Sequence, residues 1–213
     1  MLSERINLFS AVYVKTKLPD HIFQSVKEEV SYIEKNFNKS TRYNDQLAGS
    51  LSHSFQVSND IPNFESFLNQ QAKNYIKGFG DVASTQEHAI VRRQDNSLDM
   101  WVNFQKKYEF NPPHVHAGNG LSFVIWIRVP FLINDERSLP HVKDSTTKEA
   151  TAAFNFFVPN FAAAGGVGIT SLPVDKTWEG YMIMFPTSLI HSVNPFYTSD
   201  EYRISLAGNL TIV

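Results

Sequence analysis

The chain has 213 residues, 42% of them hydrophobic and 17 of them Phe; that is enough to build a sizeable core, and one domain spanning 1–213 is the prior at this length. With 19 basic against 21 acidic residues the formal net charge is −2, which leaves no global electrostatic case for nucleic acid or an anionic membrane. Cysteine is absent, excluding disulfides and thiolate metal sites; with no stretch of transmembrane length and no signal-peptide apolar region at the N-terminus, a cytoplasmic protein is expected.

In chain order, Ile6–Lys15 is short and β-rich and predicts a strand. Leu18-Pro-Asp20 stops it, with Asp20 as N-cap of a helix in which Ile22, Phe23, Val26, Val30 and Ile33 recur at helical spacing; Asn36–Ser40 ends it. Tyr43–Phe55 is polar with small residues and is expected on the surface. Asn59-Asp-Ile-Pro62 opens a second helix with Phe64, Phe67, Leu68, Ala72, Tyr75 and Ile76 on its apolar stripe, closed by Gly78 and Gly80.

From about residue 87 the periodicity changes. His88–Arg93 is a candidate strand, and Asp99–Lys106 a stronger one, with Trp101, Asn103 and Gln105 on one face and Val102 and Phe104 on the other. Leu121–Val129 is nearly all apolar, as in a strand covered on both sides. Residues 132–150 are polar and charged and read as a loop or insertion; Ala152–Val158 reads as a strand, and Asn160–Ile169, rich in Gly and Ala, as a mobile segment. Gly180–Phe185 is a short buried strand ended by Pro186, and Tyr202–Val213 is the last strand. Short strands separated by turn signals predict a sandwich or barrel over 98–213, with a strand and helices in 1–97 supporting it.

The chemistry concentrates in Asn111-Pro-Pro-His-Val-His116 and Thr187-Ser-Leu-Ile-His191. Residues two apart on an extended strand share a face, so His114 and His116 can chelate one metal ion, with His191 the best third ligand. Imidazole suits Fe, Zn, Cu and Ni. His116 is either that ligand or a residue beside the site, and Asp135, Glu136, Asp144 or Glu149 could bring a carboxylate instead. Arg203 and Ser205 are also two apart. A guanidinium inside a barrel requires an anion, because an unpaired buried charge is costly, and its planar fork matches a carboxylate; on an outer face it would pair with Asp200 or Glu201 instead. Trp126, Asn103 and Gln105 can contribute to the same anion site or serve as structure. His21, His53, His88 and His141 lack such context.

Trp101-Val-Asn103, Pro113-His-Val-His116, Gly120-Leu-Ser-Phe-Val-Ile-Trp126, Gly180-Tyr-Met-Ile-Met-Phe-Pro186, Leu189-Ile-His-Ser-Val-Asn-Pro195 and Arg203-Ile-Ser205, in that order, resemble the 2-oxoglutarate/Fe(II)-dependent dioxygenases. More narrowly they resemble the prolyl-4-hydroxylase-like and phage-type members, which Asn44-Asp-Gln-Leu-Ala-Gly49 also resembles. The resemblance implies a mainly β protein with flanking helices: a double-stranded β-helix, or cupin-like jelly-roll, with N-terminal helices packed on it. It implies Fe(II), 2-oxoglutarate and O₂ as participants, with hydroxylation of a C–H bond in an unidentified substrate and release of succinate and CO₂. His114 and His191 fall on the family's iron-binding histidines, and Arg203 and Ser205 on its 2-oxoglutarate Arg-x-Ser. His116 stands where the family has a carboxylate, and Trp126 where it often has a tyrosine. The competing readings are a cupin-like metal-binding module and a structural jelly-roll, separated from the oxygenase by whether Arg203 faces inward.

Overall fold

The computed structural model describes residues 13–79, 88–90, 99–118, 120–160 and 166–212. Two antiparallel sheets face each other as a double-stranded β-helix. The major sheet runs β1 (Val14–Lys17), β9 (Tyr181–Pro186), β6 (Gly120–Arg128), β11 (Arg203–Ile212), β4 (Met100–Gln105) and β2 (His53–Gln56), with β3 (His88–Ile90) paired to the far end of β11. The minor sheet runs β5 (Asn111–His114), β10 (His191–Val193), β7 (Phe154–Asn160) and β8 (Gly166–Leu172).

Strand alternation sorts the major sheet's side chains into two cores. One face carries Met100, Val102, Phe104, Phe123, Ile125, Met182, Met184, Ile204 and Leu206 into a cluster with the helices α1 (Asp20–Lys35) and α2 (Phe64–Phe79). From α1 this cluster takes Ile22, Val26, Val30 and Ile33, and from α2 Phe64, Leu68 and Ala72, the stripes that the periodicity predicts. Arg128 on β6 ties α1 to the sheet by a two-pronged bond to Glu34 at 2.9 and 3.1 Å. The opposite face looks into the barrel, where Trp126, Ile183 and Phe185 meet Phe154 and Phe156 of the minor sheet.

Several local expectations are corrected. Pro19, not Asp20, caps α1; Asp20 is its first residue, adding an acidic charge to the first turn. Tyr43–Phe55 is not merely surface: it runs into β2, and Tyr43 is buried against Trp101 at a ring distance of 5.4 Å. The 132–150 segment carries a short helix, α3 (Ile133–Arg137), with Glu136 fully buried. Within Asn160–Ile169 the chain forms β8 from Gly166 on, paired to β7 over seven positions. Gly78 lies inside α2 rather than beyond it. The early part of the Ile6–Lys15 strand, Gly80, and residues 91–93 lie outside the described residues, and β1 begins at Val14.

Candidate metal and co-substrate site

The minor sheet brings two of the histidines together by register. His191, the first residue of β10, pairs directly with His114, the last of β5, and on its other side with Phe156 of β7. Their rings lie 4.2 Å apart between centroids. β5 ends at His114, so His116 is not on the strand; its backbone N–H donates to Thr187 O at 3.0 Å. That bond returns the His116 ring to the others, 5.2 Å from each. One nitrogen from each of the three lies within 4.8 Å of the others.

The fit to a metal ion rests on where the protons are. His114 Nδ1 is 2.7 Å from Pro112 O and His191 Nδ1 is 2.9 Å from Leu189 O. A carbonyl only accepts, so both rings carry their proton on Nδ1 and leave the Nε2 lone pair for a ligand. Burial pushes the His191 pKa down to about 3, with His114 and His116 adding to the shift and the Leu189 bond opposing it. Burial, then His114, take His116 down to about 4 against a weaker pull from Asp99. Neutral imidazoles are the form that binds metal. The surroundings fix the rings: Phe154 stacks on His191 at 5.5 Å and 10°, and Trp101 lies 5.6 Å from His116.

Two of the carboxylates named as substitutes are engaged elsewhere. Glu136 accepts from the N–H groups of Tyr197 and Thr198, and Glu149 pairs with Arg137 at 2.7 Å. Among the described residues the converging ligand group is the three histidines.

Arg203 faces inward and is 3% exposed. Its partner across the β11–β4 ladder is Gln105, and that of Ser205 is Asn103 on one side and Trp126 on the other. Arg203 Nε and Nη2 both donate to Gln105 Oε1, at 3.2 and 2.7 Å; Nη1 donates to Ala152 O and Nη2 to Asn194 O, both at 2.8 Å. Four of the guanidinium's five N–H groups are therefore engaged with neutral acceptors. Asp200 and Glu201 are not its partners; Asp200 pairs with Lys107. Burial pushes the Arg203 pKa down to about 9, offset by Glu136, so the group is cationic at neutral pH. Gln105 donates its amide to Glu109 O and Asn103 accepts from Ser54 Oγ at 2.7 Å. Trp126 is buried edge-on to Trp178 and Phe154.

A cavity of about 290 Å³ joins these groups. His114, His116, His191, Arg203, Ser205, Asn103, Gln105 and Trp126 all line it. Gln46, Leu47 and Ala48 form another of its walls, one that composition did not reveal. Gly49 lets this wall close on the histidine strand, since a Cβ there would lie 2.0 Å from Asn111 Oδ1. Also missed were Phe131 and Phe196, whose rings flank the Arg203 guanidinium at 5.8 and 5.4 Å.

Fold and site together define a jelly-roll protein able to hold one metal ion on neutral imidazoles beside a buried cation. The family model described as "Putative 2OG-Fe(II) oxygenase" matches residues 99–209, just over half of the chain, and the chain belongs to that family. It is a non-haem oxygenase, an oxidoreductase whose cofactors are Fe(II), 2-oxoglutarate and O₂. A Pseudomonas putida prolyl-4-hydroxylase is similar in structure, with a TM-score of 0.56 at 12% identity over 95% of this chain and 94% of that one. AviO1 from Streptomyces viridochromogenes Tue57 gives a TM-score of 0.50 at 13% identity, over 94% and 90%. At these identities the likeness is one of fold. No curated protein matches the chain. Nothing supports the cupin-like or purely structural alternatives. No helix among the described residues is long and apolar enough to cross a membrane.

Proposed function

We propose that His114, His116 and His191 hold the iron, and that Arg203, with Ser205 and Asn103 beside it, receives the distal carboxylate of 2-oxoglutarate. The observation that carries this reading is a single cavity lined by three convergent histidines and a buried Arg203. Bound Fe(II), with 2-oxoglutarate and O₂, supplies the oxidising chemistry that hydroxylates a C–H bond with release of succinate and CO₂. The chain's own part is to bind, orient and exclude water. Pro112 O and Leu189 O keep the proton of two ligand rings away from the metal side. Phe154, Phe185 and Trp126 surround the inner cavity with apolar surface, which strengthens charge interactions there. Gln105 orients the Arg203 fork rather than touching the anion, since its amide oxygen already accepts twice from Arg203.

The primary substrate enters past Gln46, Leu47 and Ala48 in this reading, and residues 1–213 act as one domain, with the helices backing the sheet that carries Arg203. The cysteine-free composition fits a cytoplasmic setting. The test is anaerobic addition of Fe(II) and 2-oxoglutarate. A weak visible charge-transfer band that needs both, and that is lost in Arg203→Gln, is the expected result. Metal uptake with no band under saturating 2-oxoglutarate overturns the reading.

A further inference from the structure

Glu136 is a fully buried carboxylate for which the proposed reaction has no use. It belongs to α3, in the 132–150 segment outside the barrel strands. Its Oε2 accepts from Tyr197 N at 2.8 Å, and its Oε1 accepts from Thr198 N at 2.8 Å and from the Thr198 hydroxyl. Those three bonds engage both of its oxygens. Tyr197 and Thr198 follow Phe196 directly, and Phe196 stacks on Phe131 at 4.9 Å while both rings flank Arg203. Asn194, two residues before Phe196, and Ala152, two residues past the 132–150 segment, supply backbone carbonyls to the guanidinium. Every hydrogen-bond acceptor touching Arg203 is neutral.

From this geometry we infer that Glu136 is a positioning residue for Arg203: it is the counter-charge of the buried guanidinium and the clamp on the 194–198 turn that holds it. The inference deepens the proposed function and rests on it only where 2-oxoglutarate is concerned. Two opposite charges buried near each other are costly to separate, because removing one leaves the other uncompensated, whereas removing both is far better tolerated. The charge of Glu136 also acts on Arg203, opposing the effect of burial. Its field reaches the guanidinium through space, since both its oxygens are engaged by the turn. The 132–150 insertion thus completes a site whose Arg203, Gln105, His114 and His191 lie on barrel strands. Glutamine cannot replace Glu136, because its amide NH₂ would meet either the Tyr197 or the Thr198 N–H, donor against donor.

The first test uses the metal-free full-length chain without co-substrate. Wild type, Glu136→Gln, Arg203→Gln and the double variant are melted. Each single change lowers the midpoint, and the double variant loses less than the two single losses added together. Additive losses overturn the pairing. If Glu136→Gln does not fold, the double variant is expected to fold, and its failure to do so also overturns it. The second test titrates 2-oxoglutarate into Mn(II)-loaded Glu136→Gln by calorimetry. Affinity falls about tenfold, the size of one lost orienting hydrogen bond to a charged group, while Mn(II) affinity stays at the wild-type value. Unchanged 2-oxoglutarate affinity in the folded variant overturns the positioning role. Wild-type protein that binds Mn(II) but never 2-oxoglutarate refutes Arg203 as anchor, and the melting cycle still decides the charge pair.

Discussion

At the scale of single residues, three imidazoles and one guanidinium divide the site. His114 and His191 each have a carbonyl-bound Nδ1, so each presents one nitrogen only. His114→Ala and His191→Ala should each abolish iron retention, measured as metal content after gel filtration; iron at wild-type level in both would remove them as ligands. By the sequence resemblance His116 falls on the family's carboxylate position, and in the proposed site His116→Asp adds a negative charge to the donor set. Fe(II) affinity should be retained or raised in it, and a loss as large as that of His114→Ala would show that a carboxylate cannot serve as the ligand at position 116. For Arg203, Lys cannot reproduce the fork that bonds Gln105 twice while also reaching Ala152 O and Asn194 O. Arg203→Lys should weaken 2-oxoglutarate binding to the Mn(II) form by at least about tenfold, since one charge-assisted bond contributes roughly 1.5–3 kcal/mol. Mn(II) affinity itself should not move. His114, His116 and His191 could be picked out in the sequence from their two short motifs, although strand alternation does not place His116, because β5 ends at His114. The roles of Glu136, Ala152 and Asn194 could not, because they depend on which loops meet at Arg203.

Elements differ in how plainly they were written. α1 and α2 bury apolar residues at the helical period and β4, β6, β9 and β11 bury short, nearly continuous runs, and each was legible from that pattern. β2 was hidden because its buried positions include Ser54 and Gln56, polar residues in a polar stretch; Ser54 is satisfied by Asn103 across the ladder. β8 was hidden because it is the outer strand of the minor sheet, with Val167 and Ile169 exposed and two glycines among its residues Gly166–Leu172. α3 has only five residues, too few to show a helical period. The helix–sheet layer carries its own prediction. Phe64 begins α2, is fully buried, and meets Phe123 of β6 edge-on at 6.0 Å. Phe64→Ala should cost about 3–5 kcal/mol in denaturant unfolding. If helices and barrel form one cooperative domain, far-ultraviolet and tryptophan signals will move together to a lower midpoint; two separated transitions would divide the chain into independent units.

The whole molecule stores the cost of the metal site in its response to acid. His116 and His191 are held neutral, with pKa values lowered to about 4 and about 3 from an ordinary 6.5. The unfolded chain therefore binds protons, below about pH 6.5, that the metal-free fold refuses. Stability contributed by these two neutral rings is fully present above that pH and is lost as pH falls toward their folded values. Each group can remove about 1.4 kcal/mol per pH unit inside that window, so the metal-free protein should melt steadily lower from pH 6.5 to pH 4.5. Carboxylates also titrate toward the acid end, and His116→Gln separates the two contributions. Gln has no proton to gain, so the variant should lose stability less steeply than wild type between pH 6.5 and pH 5, where most ordinary carboxylates remain ionised. Metal changes the starting point as well: a ligand that binds only the fold raises its stability, so Mn(II) should raise the melting temperature at pH 7, with the gain shrinking as protons compete for the rings. Parallel melting profiles for wild type and His116→Gln over that range would show that the ring at 116 is open to protons in the folded protein.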